Sequence, residues 1–167
     1  MNLYIVRHAI AVERGTEGYE DDSQRPLTDE GRKKMKKITK ALERLGVKPD
    51  VILTSPYVRA RDTAKILADR YDMTDKIFFS DNLIPPGNFE ALVFEIHEKY
   101  DLANIALVGH EPMLSSLISW LMTGDTDARI NLKKGGVAYL SSDSLYQDGR
   151  ANLEWLLTPA LLVQLSK

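Results

Sequence analysis

Two histidines and two arginines stand where a phosphate group could be both held and attacked. Arg7 and His8 end a short apolar run near the N-terminus, and His110 directly follows a second apolar run. Arg59 opens a helical pattern just after a third run. Neutral imidazole is a competent nucleophile towards phosphorus, and the guanidinium fork matches phosphate geometry. These residue types predict a pocket for a phosphate dianion that contains a nucleophile.

His8 can be explained in a simpler way, as a strand-capping histidine bonded to nearby backbone. The neighbouring Arg7 shifts the balance, because a cation at the end of a buried strand needs an anionic partner. That partner is either a structural carboxylate or a substrate phosphate. For His8 to act, one ring nitrogen must be unprotonated while the other N–H is held by a carbonyl or carboxylate oxygen.

The other basic residues have different expected surroundings. Arg59 belongs to the first turn of a predicted helix, where backbone N–H groups also favour phosphate. Arg61 is expected to be solvated and paired with an aspartate. Gly109 is expected to let the backbone approach a ligand closely, and His110 to donate to a phosphoryl oxygen. His97 flanks the apolar stripe of another helix and is predicted to be a surface side chain.

Composition narrows the class of protein. The chain has 167 residues, which suits a single domain over 1–167, and its formal net charge is -2. A near-neutral charge argues against bulk electrostatic binding of nucleic acid. No apolar stretch approaches the roughly 18 residues of a spanning helix, and the N-terminus lacks signal-peptide features. We expect a cytoplasmic protein that binds neither nucleic acid nor membrane.

A metal or cofactor is not expected. The chain has no cysteine, which removes disulfides, thiolate zinc sites and thiol catalysis. His8 and His110 alone make an incomplete zinc shell. The acidic cluster Glu20–Asp22 is predicted to be a solvated loop and not a magnesium site. The phosphate-loop and nucleophile-elbow motifs are both missing from the sequence.

The elements that must position these residues alternate between strands and helices. Residues 11–27 form a long polar loop, Thr28 caps the helix that follows and Gly46 ends it. Pro112 is expected in the first turn of a later helix. Strands are predicted at 2–7, 51–54, 77–79, 104–108 and 137–140, and then around the alternating Leu153, Trp155 and Leu157, with a turn at Asp148-Gly149. The pattern predicts an α/β protein, a three-layer α/β/α sandwich whose largely parallel central sheet ends in an antiparallel hairpin.

Four elements in this order resemble the signature of the histidine phosphatase superfamily, the phosphoglycerate mutase-like fold. They are Arg7-His8-Ala9, Pro26-Leu27-Thr28-x-x-Gly31, Ser55-x-x-x-Arg59-Ala60-x-x-Thr63 and Gly109-His110. Ala9 replaces the usual glycine of the first element. The short chain lacks the helical insertion that larger members place over the pocket, so the resemblance is to the small phosphohistidine phosphatases of the SixA type.

The resemblance implies a metal-independent phosphatase in which His8 takes the phosphoryl group and passes it to water. Arg7, Arg59 and His110 would bind the phosphate. Glu111 is the candidate proton donor, with a helix N-terminal carboxylate as the alternative interpretation, and Asp81 and Glu90 are weaker candidates. A lidless pocket without a clear acid favours phosphohistidine on a signalling protein, because an ester leaving group needs a proton.

Three alternatives remain open from the residues. The chain could be a phosphomonoesterase acting on a small phosphorylated metabolite. It could be a phosphate-binding module whose His8 does not turn over. A metal site built on His8 and His110 is the third. His8→Ala should abolish hydrolysis in an enzyme and leave phosphate affinity largely intact in a binding module, and activity that survives a chelator would reject the metal site.

Overall fold

A computed structural model describes residues 1–100, 104–143 and 149–167 of the chain. The elements of these parts are, in chain order, β1 (Asn2–Arg7), α1 (Asp29–Arg44), β2 (Val51–Thr54), α2 (Val58–Tyr71), β3 (Ile77–Phe79), α3 (Phe89–Lys99), β4 (Asn104–Gly109), α4 (Met113–Thr123), β5 (Val137–Ser141), β6 (Asn152–Leu157) and α5 (Pro159–Leu165).

The strands form one mixed sheet in the order β3-β2-β4-β1-β5-β6. The first four strands in this order are parallel to one another. Strand β5 runs antiparallel to β1, and β6 runs antiparallel to β5. The predicted sheet with its antiparallel C-terminal hairpin is therefore confirmed. Asp148, expected in the hairpin turn, lies outside the described residues.

Helices cover both faces of the sheet, as predicted for three layers. Successive strand residues point to opposite faces, so Tyr4 and Val6 pack with α1, α2 and α5, while Leu3 and Ile5 pack with α3 and α4. Each face of β1, β2 and β4 is thus buried. This burial explains why these strands are continuous apolar runs without alternation.

The C-terminal part differs from the sequence prediction in two ways. The short helix α5 was not predicted, although Thr158 caps it with its side chain and a proline opens it. The alternation expected for β6 is imperfect, because Leu153 is 37% exposed. The register shifts between Tyr139 and Leu140 of the partner strand. Strand β6 also lies at the edge of the sheet, and its first three residues are exposed. Pro112 also precedes α4 as its cap instead of lying inside the first turn.

Helix α1 begins in direct contact with the segment that follows His8. Thr28 caps the helix by accepting from the backbone N–H of Gly31 at 3.0 Å, and its own N–H donates to the Ile10 carbonyl at 3.0 Å. A Cβ atom on Gly31 would lie 2.1 Å from that same carbonyl oxygen. Only glycine allows this approach, which explains the Pro-Leu-Thr-x-x-Gly element physically.

The 11–27 loop is closed at its neck. Ala11 and Leu27 form an isolated antiparallel bridge, and the Val12 N–H donates to the Pro26 carbonyl at 2.9 Å. A single 3-10 turn at Asp22–Gln24 interrupts it. None of the helices in the described ranges has the length and apolar character needed to cross a bilayer.

Candidate active site

The sheet topology brings both site histidines to one edge. In the parallel register Arg7 lies opposite Gly109 of β4, so the residues that follow, His8 and His110, leave the sheet side by side. The His8 N–H donates to the Gly109 carbonyl at 3.0 Å, and the two imidazole rings lie 5.1 Å apart between centroids. The carboxyl ends of parallel strands form the usual ligand-binding edge of an α/β sheet.

A pocket of about 450 Å³ opens at this edge. The four residues predicted to bind or attack the phosphate and the first candidate proton donor all line it, namely Arg7, His8, Arg59, His110 and Glu111. Five others complete its wall, namely Glu13, Arg14, Arg25, Pro85 and Lys134. Five cationic side chains and two carboxylates therefore surround two histidines. Asp81 and Glu90 are exposed and lie outside this lining.

The tautomer of His8 follows from its hydrogen bond. The ring is 6% exposed, and Nδ1 lies 2.7 Å from the carbonyl oxygen of Ala9. A carbonyl only accepts, so Nδ1 carries the proton and Nε2 keeps its lone pair. Burial lowers the pKa of His8 to about 3, against the Ala9 hydrogen bond and with the help of Arg59 and Arg7. The imidazole is therefore neutral near pH 7, as a nucleophile must be.

Helix α2 supports the peptide that holds His8. The Ala9 N–H donates to Thr63 Oγ1 at 3.0 Å, and the Thr63 hydroxyl donates to the Arg59 carbonyl at 2.7 Å. Thr63 and Ala60 are fully buried. The threonine of the Ser-x-x-x-Arg-Ala-x-x-Thr element thus links His8 to the helix that carries Arg59, a role the sequence did not reveal.

His110 is held by the serine of the same element. Its Nε2 lies 2.9 Å from Ser55 Oγ, which also accepts from the Tyr57 N–H at 3.3 Å. His110 Nδ1 is buried and has no hydrogen-bond partner within the described parts of the chain. Burial above all, together with His8 and Arg59, lowers the pKa of His110 to about 3. His110 is therefore neutral near pH 7 as well.

Gly109 has a different role from the one expected. A Cβ atom there would lie 3.2 Å from the side chains of Leu83 and Leu114. The missing side chain makes room for the apolar layer beneath the site, so close packing and not approach of a ligand explains the glycine. Its carbonyl positions His8, as described above.

Arg59 is 2% exposed and pairs with a residue of the 11–27 loop. Its Nη1 donates to the Asp22 carbonyl oxygen at 2.6 Å, and its Nη2 to Asp22 Oδ2 at 2.9 Å. Asp22 Oδ1 accepts from Arg25 at 2.9 Å and from Arg14 at 3.1 Å. The prediction of a solvated acidic loop is therefore wrong for Asp22. Burial raises its pKa, but the three arginines outweigh that effect and lower the pKa to about 2.

Arg7 and Glu111 both line the pocket and interact electrostatically. Arg7 Nη1 donates to the Leu132 carbonyl at 2.8 Å. Burial lowers the pKa of Arg7, and the Glu111 carboxylate opposes this shift. Glu111 accepts from the Ser115 backbone N–H at 3.1 Å and from its hydroxyl. Glu111 is thus both a helix N-terminal carboxylate, the alternative noted above, and part of the pocket wall.

Sequence reasoning missed four of the five additional lining residues because tertiary contacts, and not local sequence pattern, bring them to the pocket. Glu13, Arg14 and Arg25 lie in a loop whose path is set by tertiary contacts, and Lys134 enters because the Gly135 N–H bonds the Arg7 and His8 carbonyls at 3.1 Å. Arg25, next to the apolar Pro26-Leu27 pair and 8% exposed, offered the clearest signal. A cation so close to the buried Leu27 needs a partner.

We expect the fold to lose stability on acidification because it keeps His8 and His110 neutral. The pKa of each histidine falls on folding, from 6.5 to about 3. The associated stability is fully present above pH 6.5 and is lost as the pH drops towards about 3. Each should add a slope of about 1.4 kcal/mol per pH unit in that window. Urea unfolding at about pH 7, 5.5 and 4.5 would measure it.

Two histidine variants test this prediction through the slope of the free energy of unfolding against pH. His8→Ala should reduce the slope by about 1.4 kcal/mol per pH unit, whereas His97→Ala, at an exposed site on α3, should leave it unchanged. Equal slopes in wild type and His8→Ala would contradict the neutral, buried state of His8.

Comparison with known proteins agrees with this geometry. The family model of the histidine phosphatase superfamily (branch 1) matches residues 3–83. An uncharacterized protein of Picosynechococcus is 38% identical over 144 residues, which are 85% of this chain and 86% of that protein. Phosphohistidine phosphatase SixA of Escherichia coli is 23% identical over 164 residues, 97% of this chain and 96% of its own length.

Solved structures share the fold. Protein histidine phosphatase SixA complexed with tungstate superposes with a TM-score of 0.82 at 22% identity, over 97% of this chain and 99% of that one. Alpha-ribazole phosphatase from Shigella flexneri gives 0.74 at 17% identity, over 95% and 97%. The six-stranded sheet and its flanking helices are thus a fold found in phosphatases with different substrates. With the family model spanning the Arg7-His8 and Ser55-to-Thr63 elements, the chain belongs to the histidine phosphatase superfamily.

Proposed function

We propose that this protein removes the phosphoryl group from phosphohistidine on a protein, through a covalent phosphoenzyme at His8. The observation that carries the proposal is the state of His8. The Ala9 carbonyl fixes its Nδ1–H, and burial among cations keeps it neutral. Its Nε2 lone pair is therefore available to phosphorus.

In the first step Nε2 of His8 bonds to phosphorus while the phosphorus–nitrogen bond of the substrate breaks. The substrate ring is already protonated on its other nitrogen, so it takes the electron pair of the broken bond and leaves as neutral imidazole. In the second step water attacks the phospho-His8, the new phosphorus–nitrogen bond breaks, and inorganic phosphate departs. The proton of the water is taken up by the phosphate, and His8 recovers its lone pair.

The cations and His110 hold the phosphoryl oxygens in both steps. Among the residues that the structure describes, no hydrogen-bond partner reaches the buried Nε atoms of Arg7 and Arg59 or the buried Nδ1 of His110, whereas buried donors normally have a partner. A Ser55 hydroxyl that donates to His110 Nε2 would leave Nδ1–H as a donor for a phosphoryl oxygen. Donors that meet charge developing in the transition state accelerate such a step.

The carboxylates favour phosphohistidine over an ester. An alkoxide leaving group needs a proton, and a positioned acid contributes about 10²–10⁴-fold. Both oxygens of Glu111 already accept hydrogen bonds from Ser115, and Glu13 is on the exposed loop. Imidazole leaves without such an acid. Similarity to the phosphohistidine phosphatase SixA supports the same substrate class.

A small-metabolite phosphomonoesterase is the second candidate. The presence of Glu111 in the pocket wall favours it, because a carboxyl group beside the phosphate could protonate an ester oxygen. The shared fold with an alpha-ribazole phosphatase points the same way.

The deciding experiment compares phosphate release from a histidine-phosphorylated phosphotransfer domain with release from small phosphomonoesters. Assays contain no added metal and are repeated with a chelator. We expect kcat/KM for the phosphoprotein to exceed that for the esters by about 10²-fold or more, unchanged by the chelator. Turnover confined to the esters would support the second candidate, and loss of activity with chelator would indicate a metal site.

A further inference from the structure

We propose that Asp22 is a built-in counter-anion that weakens the pocket's hold on phosphate and so lets the product leave. This inference rests on the proposed function, since it concerns the affinity of the same pocket. Asp22 would act through the arginines and not by touching the reacting atoms.

The Asp22 carboxylate pairs with three arginines and does not cap the 3-10 turn in which it lies. The 3-10 turn at Asp22–Gln24 is capped by its neighbour Asp21, whose Oδ1 accepts from the Ser23 N–H at 2.9 Å. Asp22 instead gives Oδ1 to Arg14 and Arg25 and Oδ2 to Arg59. One negative charge is thereby shared among three of the five cations that line the pocket.

Arg25 and Arg59 have other contacts that keep them in place without that charge. Arg25 Nη1 donates to the Val12 carbonyl at 2.5 Å. Arg59 Nη1 donates to the backbone carbonyl of Asp22 at 2.6 Å, and its guanidinium lies 5.1 Å from the centre of the Tyr57 ring. A neutral side chain at position 22 retains these contacts. Its main effect should therefore be on charge and not on geometry.

The carboxylate and a phosphate dianion then compete for the same guanidinium. Each Nη of Arg59 spends one N–H on Asp22, and only the remaining N–H groups are left for a phosphoryl oxygen. A fixed negative charge this close also repels the dianion through a partly buried, weakly screened path. Without it the pocket would bind the released phosphate more tightly.

The test is Asp22→Asn, with Asp21→Asn as the matched control. Binding of inorganic phosphate is measured by calorimetry near neutral pH, and product inhibition is measured during turnover. We expect the phosphate Kd and inhibition constant of Asp22→Asn to fall about tenfold, with kcat reduced because release is slower. Asp21→Asn should match wild type. Asp22→Glu, which restores the charge, should return Kd towards the wild-type value.

A purely structural role for Asp22 predicts the opposite sign, because loosened arginines would bind phosphate more weakly. An unchanged or raised Kd in Asp22→Asn overturns the inference. Asp22→Ser supplies a second neutral side chain if the asparagine variant does not fold, and it must shift Kd in the same direction. A wild-type protein that binds no phosphate would instead overturn the proposed function itself.

Discussion

Replacing His8 with alanine should lower turnover by at least about 10⁴-fold, because the nucleophile is lost and no neighbouring group can replace it. The other ring at the site, His110, is bonded through Nε2 to Ser55. Phosphate binding should survive, with Kd within about tenfold of wild type, because Arg7, Arg59 and the other cations of the pocket remain. Separation of turnover from binding is the expected signature of a nucleophile.

Covalent labelling tests the same residue directly. Wild-type protein mixed with radiolabelled phosphoprotein substrate and quenched in alkali should carry an acid-labile label, and His8→Ala should carry none. His97→Ala, at an exposed histidine, is the matched control and should be labelled normally. A folded His8→Ala variant that retains turnover or label would contradict the assignment of the nucleophile.

Arg59→Lys should lower kcat/KM by about 10²–10³-fold although the charge is retained. Lysine presents one ammonium on a flexible stem, whereas Arg59 holds a planar fork fixed by Asp22. The loss therefore reflects donor geometry and not net charge. Steady-state kinetics on the phosphoprotein substrate measures the change.

Arg61→Lys is the matched control for this prediction. Arg61 lies two residues further along α2, its side chain is 51% exposed, and its nearest carboxylate, on Asp62, is 3.7 Å away. This variant should keep wild-type kinetics and alter stability by no more than about 0.5 kcal/mol. If Arg59→Lys stayed within about threefold of wild type, the fork of Arg59 would have no special role.

The strand ends are the part of the site that sequence could predict. Apolar runs such as the one before Arg7 form strands that are buried on both faces, so the residue at which each strand ends can be predicted from composition alone. Helix α2 begins at Val58, so Arg59 lies in its first turn, as its position directly after the third apolar run predicted. The cap at Thr28 and the helix end before Gly46 are likewise local signals.

Contacts that join distant segments were not predictable in this way. Asp22 meets Arg59 across 37 positions of the chain, and a polar loop gives no periodic signal for such a contact. The same limit applies to β6, whose alternation is broken by a register shift that depends on its partner strand. Ser55 and Thr63 belong to a motif that the sequence shows. Their hydrogen-bond partners, His110 and the Ala9 N–H, follow the ends of other strands and could not be read from that motif.

The closed neck of the 11–27 loop separates the length of that loop from the position of His8. The Ala11–Leu27 bridge and the bond from Val12 to the Pro26 carbonyl fix both ends. Gly15 and Gly18, with positive φ and nothing near their Cβ positions, lie beyond the neck. Evolution or an engineer can therefore insert or delete residues at the loop tip, where a short peptide tag would sit beside the pocket mouth without displacing His8.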